Sequence, residues 1–136
     1  MTAMNIVCFG FGQVAKKFIK KIKNDGVSFN LTTTSREDSK NKQLDDINYQ
    51  SFQFTEKSFD KNFISKFEQA DHVLISIAPT IRGDIVINKF KNYFKSKKIK
   101  WITYLSATSV YGDHGGEWVN ENSETKPTSS NGIERL

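Results

Sequence analysis

The chain has very little sulfur chemistry and no long apolar run. Among its 136 residues there is one cysteine, Cys8, which excludes an internal disulfide. Its place inside an apolar segment makes it a small core residue rather than a nucleophile. With two histidines and one cysteine, no cluster has metal-ligand spacing. The uninterrupted apolar stretches are strand-sized, so neither a signal peptide nor a membrane span is predicted, and a cytoplasmic protein is the expectation. The net charge of +5 raises the question of nucleic acid. However, the lysines lie on the solvent faces of predicted helices and around Lys95 to Lys100, without the interleaved aromatics that would stack on bases. A solvated surface explains them.

What is present is concentrated in the first twenty residues. Ile6, Val7, Cys8 and Phe9 form the continuous apolar run of a strand covered on both faces. A turn follows, spelling Gly10-x-Gly12-x-x-Ala15. Gly10 can take backbone angles closed to other residues, Gly12 lets a pyrophosphate approach the main chain, and Ala15 allows close packing of helix on strand. The helix beyond offers the N–H groups of Gln13, Val14 and Ala15 to phosphate oxygens. Val14, Phe18 and Ile22 form its expected apolar stripe, and Asn24-Asp25-Gly26 ends it. The bland alternative is a glycine turn that merely joins two elements.

Val27 to Thr34 alternates as a second strand. An NAD site usually carries a carboxylate at this strand end for the ribose hydroxyls, whereas here Thr34-Ser35-Arg36 presents hydroxyls and a guanidinium suited to a 2′-phosphate. NADP is therefore favoured over NAD, with Asp38 keeping NAD open. Residues Glu37 to Asp46 read as a surface loop. A short third strand is expected over Tyr49–Phe54, then a helix carrying Phe59, Phe63, Ile64 and Phe67 as core. His72 to Pro79 is the fourth strand. Ser76, Ile77, Ala78 and Pro79 at its carboxyl end are expected to line the cofactor groove. A helix over Gly83–Lys97, burying Val86, Phe90 and Phe94, leads to a fifth strand, Trp101–Leu105. The prediction is an α/β, Rossmann-type, doubly wound parallel sheet in the order 3-2-1-4-5.

The glycine turn, Ser76-Ile-Ala-Pro79 and above all Leu105-Ser-Ala-Thr-Ser-Val-Tyr-Gly-Asp113 together resemble the extended and atypical short-chain dehydrogenase/reductases, the NAD(P)-dependent epimerase/dehydratase group. The likeness extends through Gly115-Gly-Glu-Trp118 and Lys126-Pro127-Thr128. It implies that residues 1–136 form a C-terminally incomplete NAD(P)-binding domain whose substrate-binding region is absent. It also implies hydride transfer at a hydroxyl or carbonyl of a small sugar-like substrate.

The resemblance also implies a serine or threonine four positions before Tyr111, where Ala107 stands, and a Tyr-x-x-x-Lys motif whose places hold Asn131 and Arg135. Thr108 is the substitute for the missing hydroxyl, Asp84 takes the place of an active-site asparagine, and Arg135 can hold the nicotinamide ribose. Asp84 reads equally well as a helix-capping carboxylate. His114, without an orienting partner, reads as solvated. The expected partners are a small-molecule substrate, no nucleic acid and no membrane, together with either a second copy of the chain or a second polypeptide supplying the remaining region. A non-catalytic dinucleotide-binding module and an inactive fragment are the alternatives.

Overall fold

The computed structural model describes residues 2–95 and 98–136. Its strands are β1 (Met4–Phe9), β2 (Phe29–Ser35), β3 (Lys40–Leu44), β4 (Ile47–Gln53), β5 (His72–Ile75) and β6 (Trp101–Tyr104). The helices are α1 (Gln13–Asn24), α2 (Phe63–Glu68), α3 (Ile85–Phe90) and α4 (Ser130–Arg135), with 3₁₀ turns at Tyr93–Lys95 and Thr108–Val110. One sheet runs β3-β4-β2-β1-β5-β6. β4-β2-β1-β5-β6 are parallel, which is the predicted order, and β3 pairs antiparallel with β4 at the edge.

β3 corrects the loop expected over Glu37–Asp46. Its polar sequence has no apolar period, yet Asp45, at φ 53°, accepts the left-handed geometry that a tight hairpin needs, and Leu44 then pairs with Ile47. Lys40 and Lys42, both ion-paired with Glu37, are residues of the kind that keep an exposed edge from pairing further.

Strand alternation divides the core into two layers. On one face Ile6, Cys8, Leu31 and Leu74 meet Ala15 and Ile19 of α1. On the other, Val7, Phe9, Phe52, Val73 and Ile75 meet Phe63, Phe67, Val86 and Phe90. The stripe on α1 is broader than expected: Phe18 and Ile22 pack on this layer as predicted, Ala15 and Ile19 are fully buried beside them, and only Val14, 60% exposed, lies outside it. Close approach of helix to strand selects the smallest side chain, so Ala15 rather than Val14 sets the contact face.

The predicted helix Gly83–Lys97 is shorter, with α3 followed by a 3₁₀ turn; residues 96 and 97 lie outside the described residues. Val86 and Phe90 are buried as expected, and Phe94 packs at the margin of the core. Phe59 joins the core from the segment before α2 rather than from the helix itself.

Burial pushes the Cys8 thiol up from 9.0 to about 12. A thiol raised on folding stabilises the native state fully below pH 9.0, and that contribution is lost as pH rises through about 12. We expect Cys8 to resist alkylation in the native protein at neutral pH and to react only after unfolding. Rapid native labelling with iodoacetamide would contradict this.

Candidate functional site

β1 ends on Phe9, and the chain turns at Gly10 with φ 80°. A methyl group there would approach Ile77 Cγ1 and Ser76 Oγ at 3.0 Å, so conformation and space both demand glycine. The turn is pinned from two sides. The Gly10 N–H donates to Thr34 Oγ1 (3.0 Å), and the Phe9 carbonyl accepts from the Ser76 N–H and Ser76 Oγ, each at 3.0 Å. Thr34→Val strands the Gly10 N–H and is expected to cost about 1–3 kcal/mol, read as a lower urea midpoint with unchanged slope.

Gly12 differs from Gly10. Its backbone is extended (φ −84°, ψ −166°), which any residue can adopt, and a Cβ there would meet nothing within 4 Å. It is the N-cap of α1 and brings no capping side chain; the first helical bond runs from the Lys16 N–H to the Gly12 carbonyl. The N–H groups of Gln13, Val14 and Ala15 therefore have no partner within the helix, and Gly12 itself borders open space.

That space is a cleft of about 670 Å³ at the carboxyl ends of the strands. It sits where strand order reverses between β1 and β5, the ligand position of open α/β sheets. Gly10, Gly12, Ser35, Arg36, Ile77 and Ala78 line it, as predicted from sequence. Thr34, read with Ser35 and Arg36 from sequence, lines it too, and Phe11, Phe54, Thr55, Glu56, Thr80 and Ile85 join it, which only the register of the sheet shows. Gln13, Val14 and Ala15, also expected at the cofactor, form the first turn of α1 next to Gly12 but are not among the residues lining the cleft. Ser76 spends its hydroxyl on Phe9, and Pro79 is buried outside the cleft wall.

At the β2 end, Arg36 is exposed and forms no ion pair among the described residues. Gln53 Nε2 donates to the Arg36 carbonyl (3.4 Å) and to Asp38 Oδ1 (3.3 Å). Glu56 on the opposite lip pairs with Arg82 at 3.3 Å.

Of the residues that the resemblance sets at catalytic positions, Asp84, Asn131 and Arg135 lie near the end of β6, around a tyrosine that sequence reasoning missed. Asp84 caps α3, its Oδ1 accepting from the Val86 N–H (2.8 Å) and the Ile87 N–H (3.0 Å). Its Oδ2 accepts from the Tyr104 hydroxyl at 2.9 Å. Partial burial, then the bond to Asp84 and its charge, hold the Tyr104 phenol above its ordinary range, while Arg135 pulls the other way. Arg135 donates from Nε to Asn131 Oδ1 (2.9 Å) and from Nη1 to the Leu105 carbonyl (3.0 Å). Thr108 stands apart, exposed, at the head of its 3₁₀ turn, with Ala107 just before it. No sequence signal marked Tyr104, because its partner lies 20 positions away.

His114 Nε2 lies 3.0 Å from the Glu124 carbonyl and its ring rests against Tyr111. His72 Nε2 lies 3.2 Å from Thr103 Oγ1 at the opposite end of the sheet, and burial lowers its pKa. Among the described residues no group of histidine, cysteine and carboxylates could hold a metal ion. Nor is any helix there long and apolar enough to cross a membrane.

No family model matches the sequence, and no curated protein does. Solved structures do match. A conserved protein of unknown function from Silicibacter pomeroyi DSS is 27% identical with a TM-score of 0.73, over 98% of this chain and 46% of its own. The Bordetella bronchiseptica enzyme WbmG, in complex with NAD and UDP, is 15% identical with a TM-score of 0.69, over 98% and 47%. UDP-glucuronic acid 4-epimerase from Bacillus cereus, in complex with NAD, is 15% identical with a TM-score of 0.70, over 97% and 48%. The chain has the fold of the N-terminal part of the NAD-dependent epimerases and dehydratases. It spans about half the length of the structures it matches.

Proposed function

We propose that this chain binds a nicotinamide dinucleotide, with NADP preferred over NAD, as the nucleotide-binding part of an oxidoreductase of the epimerase and dehydratase kind. The observation that carries the reading is the geometry at Gly12: an uncapped helix start faces open space that a single side chain would fill. A diphosphate needs that combination of free N–H groups and unobstructed main chain. The complexes of WbmG and of the Bacillus cereus epimerase with NAD support a nicotinamide dinucleotide in general, and in this reading the preference for NADP rests on Arg36 alone.

In this reading Gln13, Val14 and Ala15 donate backbone N–H groups to the diphosphate, Ile77 and Ala78 form an apolar wall, and Arg36 receives a 2′-phosphate. Gln53 engages Asp38, the nearby carboxylate that would otherwise favour unphosphorylated ribose. When bound, the nicotinamide supplies hydride transfer to or from a hydroxyl or carbonyl of a sugar-like substrate. The chain's contribution at that end is Tyr104, whose hydroxyl donates to Asp84, and the Arg135 guanidinium.

A second reading is a dinucleotide-binding module without catalysis. It is favoured by Ala107 and Asn131 in place of hydroxyl donors and by the commitment of Arg135 to Leu105 and Asn131. Both readings require binding, so binding is the test. Titration with NADP should raise the melting temperature progressively, with about 2.7 kcal/mol of stabilisation at roughly one hundred times Kd and a logarithmic rise beyond it. Arg36→Ala should weaken NADP by about 1.5–3 kcal/mol and leave NAD nearly unchanged. An equal loss for both would remove phosphate recognition at Arg36. A melt insensitive to both dinucleotides would remove the cofactor.

A further inference from the structure

The lysines of α1 are not held alike. Lys20, Lys21 and Lys23 each pair with an aspartate. Lys16, in the first turns of the helix, has no carboxylate partner among the described residues. Its ammonium lies instead 5.9 Å from the centre of the Phe11 ring, within the reach of cation–π attraction. Phe11 lines the cleft and is itself fixed by an edge-on contact with Tyr49, the ring centres 5.1 Å apart.

The same ring belongs to the Arg36 side of the cleft. The bond from the Gly10 N–H to Thr34 Oγ1 ties the glycine turn to the end of β2, with Phe11 one residue past Gly10 and Arg36 two residues past Thr34. Both side chains line the cleft. The carboxylates that follow Arg36 are engaged elsewhere, Glu37 with Lys40 and Lys42 and Asp38 with Gln53. Two cations that no carboxylate neutralises therefore stand by the same wall.

We propose that Lys16 is a second determinant of the NADP preference, its ammonium meeting the 2′-phosphate from the α1 side while Arg36 meets it from the end of β2. This rests on the dinucleotide reading and names a group that sets its specificity. A phosphate monoester carries close to two negative charges at neutral pH and three acceptor oxygens. The planar guanidinium takes two of those oxygens as a fork, and the compact ammonium suits the third. Contact with Phe11 holds the lysine in place beforehand, so less side-chain freedom is lost on binding. The 2′-hydroxyl of NAD offers no charge to either cation.

Calorimetric titration of the unaltered chain and of Lys16→Gln with NADP and with NAD tests the proposal. NADP affinity should fall about ten-fold, as for a lost charged hydrogen bond, while NAD changes by no more than about two-fold, as for an exposed charge that touches nothing. Lys16→Arg should keep most of the NADP affinity. Lys17→Gln removes the same charge one residue further on and should leave the ratio of the two affinities as it was. Adenosine 2′,5′-bisphosphate and ADP, which lack the nicotinamide, should repeat the loss and the indifference. Lys16 is exposed, so melting without ligand should not change, which shows that the variant folds. An unchanged NADP affinity overturns the proposal. So does an equal loss for NADP and NAD, which places Lys16 at the diphosphate, or an equal effect of Lys17→Gln, which reduces it to overall charge. If Arg36→Ala removes the discrimination and Lys16→Gln does not, this inference falls and the dinucleotide reading stands. If the unaltered chain binds neither dinucleotide, both fall.

Discussion

Phe9→Ala is expected to cost about 3–5 kcal/mol, a large share of the 5–15 kcal/mol that holds a domain of this size together. Phe9 is fully buried at the end of β1. Its ring lies 5.4 Å from Phe54, 5.3 Å from Phe63, 5.7 Å from Phe67 and 5.4 Å from Phe90, all edge-on. Such pairs contribute about 0.5–1.5 kcal/mol each beyond area burial. Alanine leaves a cavity that four rings, on α2, on α3 and just beyond β4, cannot all collapse into. Urea denaturation should show a markedly lower midpoint with little change in slope. The residue also leads into Gly10, and its carbonyl anchors Ser76, so dinucleotide affinity should fall as well. A loss below about 1.5 kcal/mol would mean that the aromatic layer repacks and is not the rigid support of the cleft.

Gly10→Val and Gly12→Val should separate stability from binding, although the two glycines stand two residues apart. Valine at Gly10 meets a φ of 80° and contacts at 3.0 Å with Ile77 and Ser76. Left-handed strain and overpacking together should cost about 2–5 kcal/mol. Valine at Gly12 meets an extended backbone and open space, so stability should change by no more than about 0.5 kcal/mol, as at an ordinary surface site. Binding should nevertheless disappear, because the side chain occupies the place of the diphosphate. Melting with and without dinucleotide reads both effects in one experiment. If Gly12→Val still binds, the diphosphate does not lie on the α1 terminus.

The glycine turn was legible in the sequence because its signals are local: an apolar run, small residues at fixed spacing, then a helical period. The parallel order was legible for the same reason, since strands alternating with helical patterns admit few topologies. The start of the α1 stripe was not. Phe18 and Ile22 pack as their period predicts, but at the first turn the closeness of the sheet selects Ala15 over Val14. Nor was β3, whose lysine-rich sequence becomes a strand only because β4 offers a free edge beside it.

The site divides along the same line. By itself the sequence determined the Gly10-x-Gly12-x-x-Ala15 turn and the basic end of the second strand, and its resemblance to the family implied that Ala107, Asn131 and Arg135 stand at the serine, tyrosine and lysine positions. Only the tertiary structure decided that Thr34 holds the Gly10 amide, that Gln53 engages Asp38, and that Tyr104 joins Asp84. These contacts link residues 15 to 24 positions apart. They exist because parallel pairing brings the carboxyl ends of separate strands to one level, and a hydrogen bond a few tenths of an ångström from its limit depends on that register, which no short window of sequence contains.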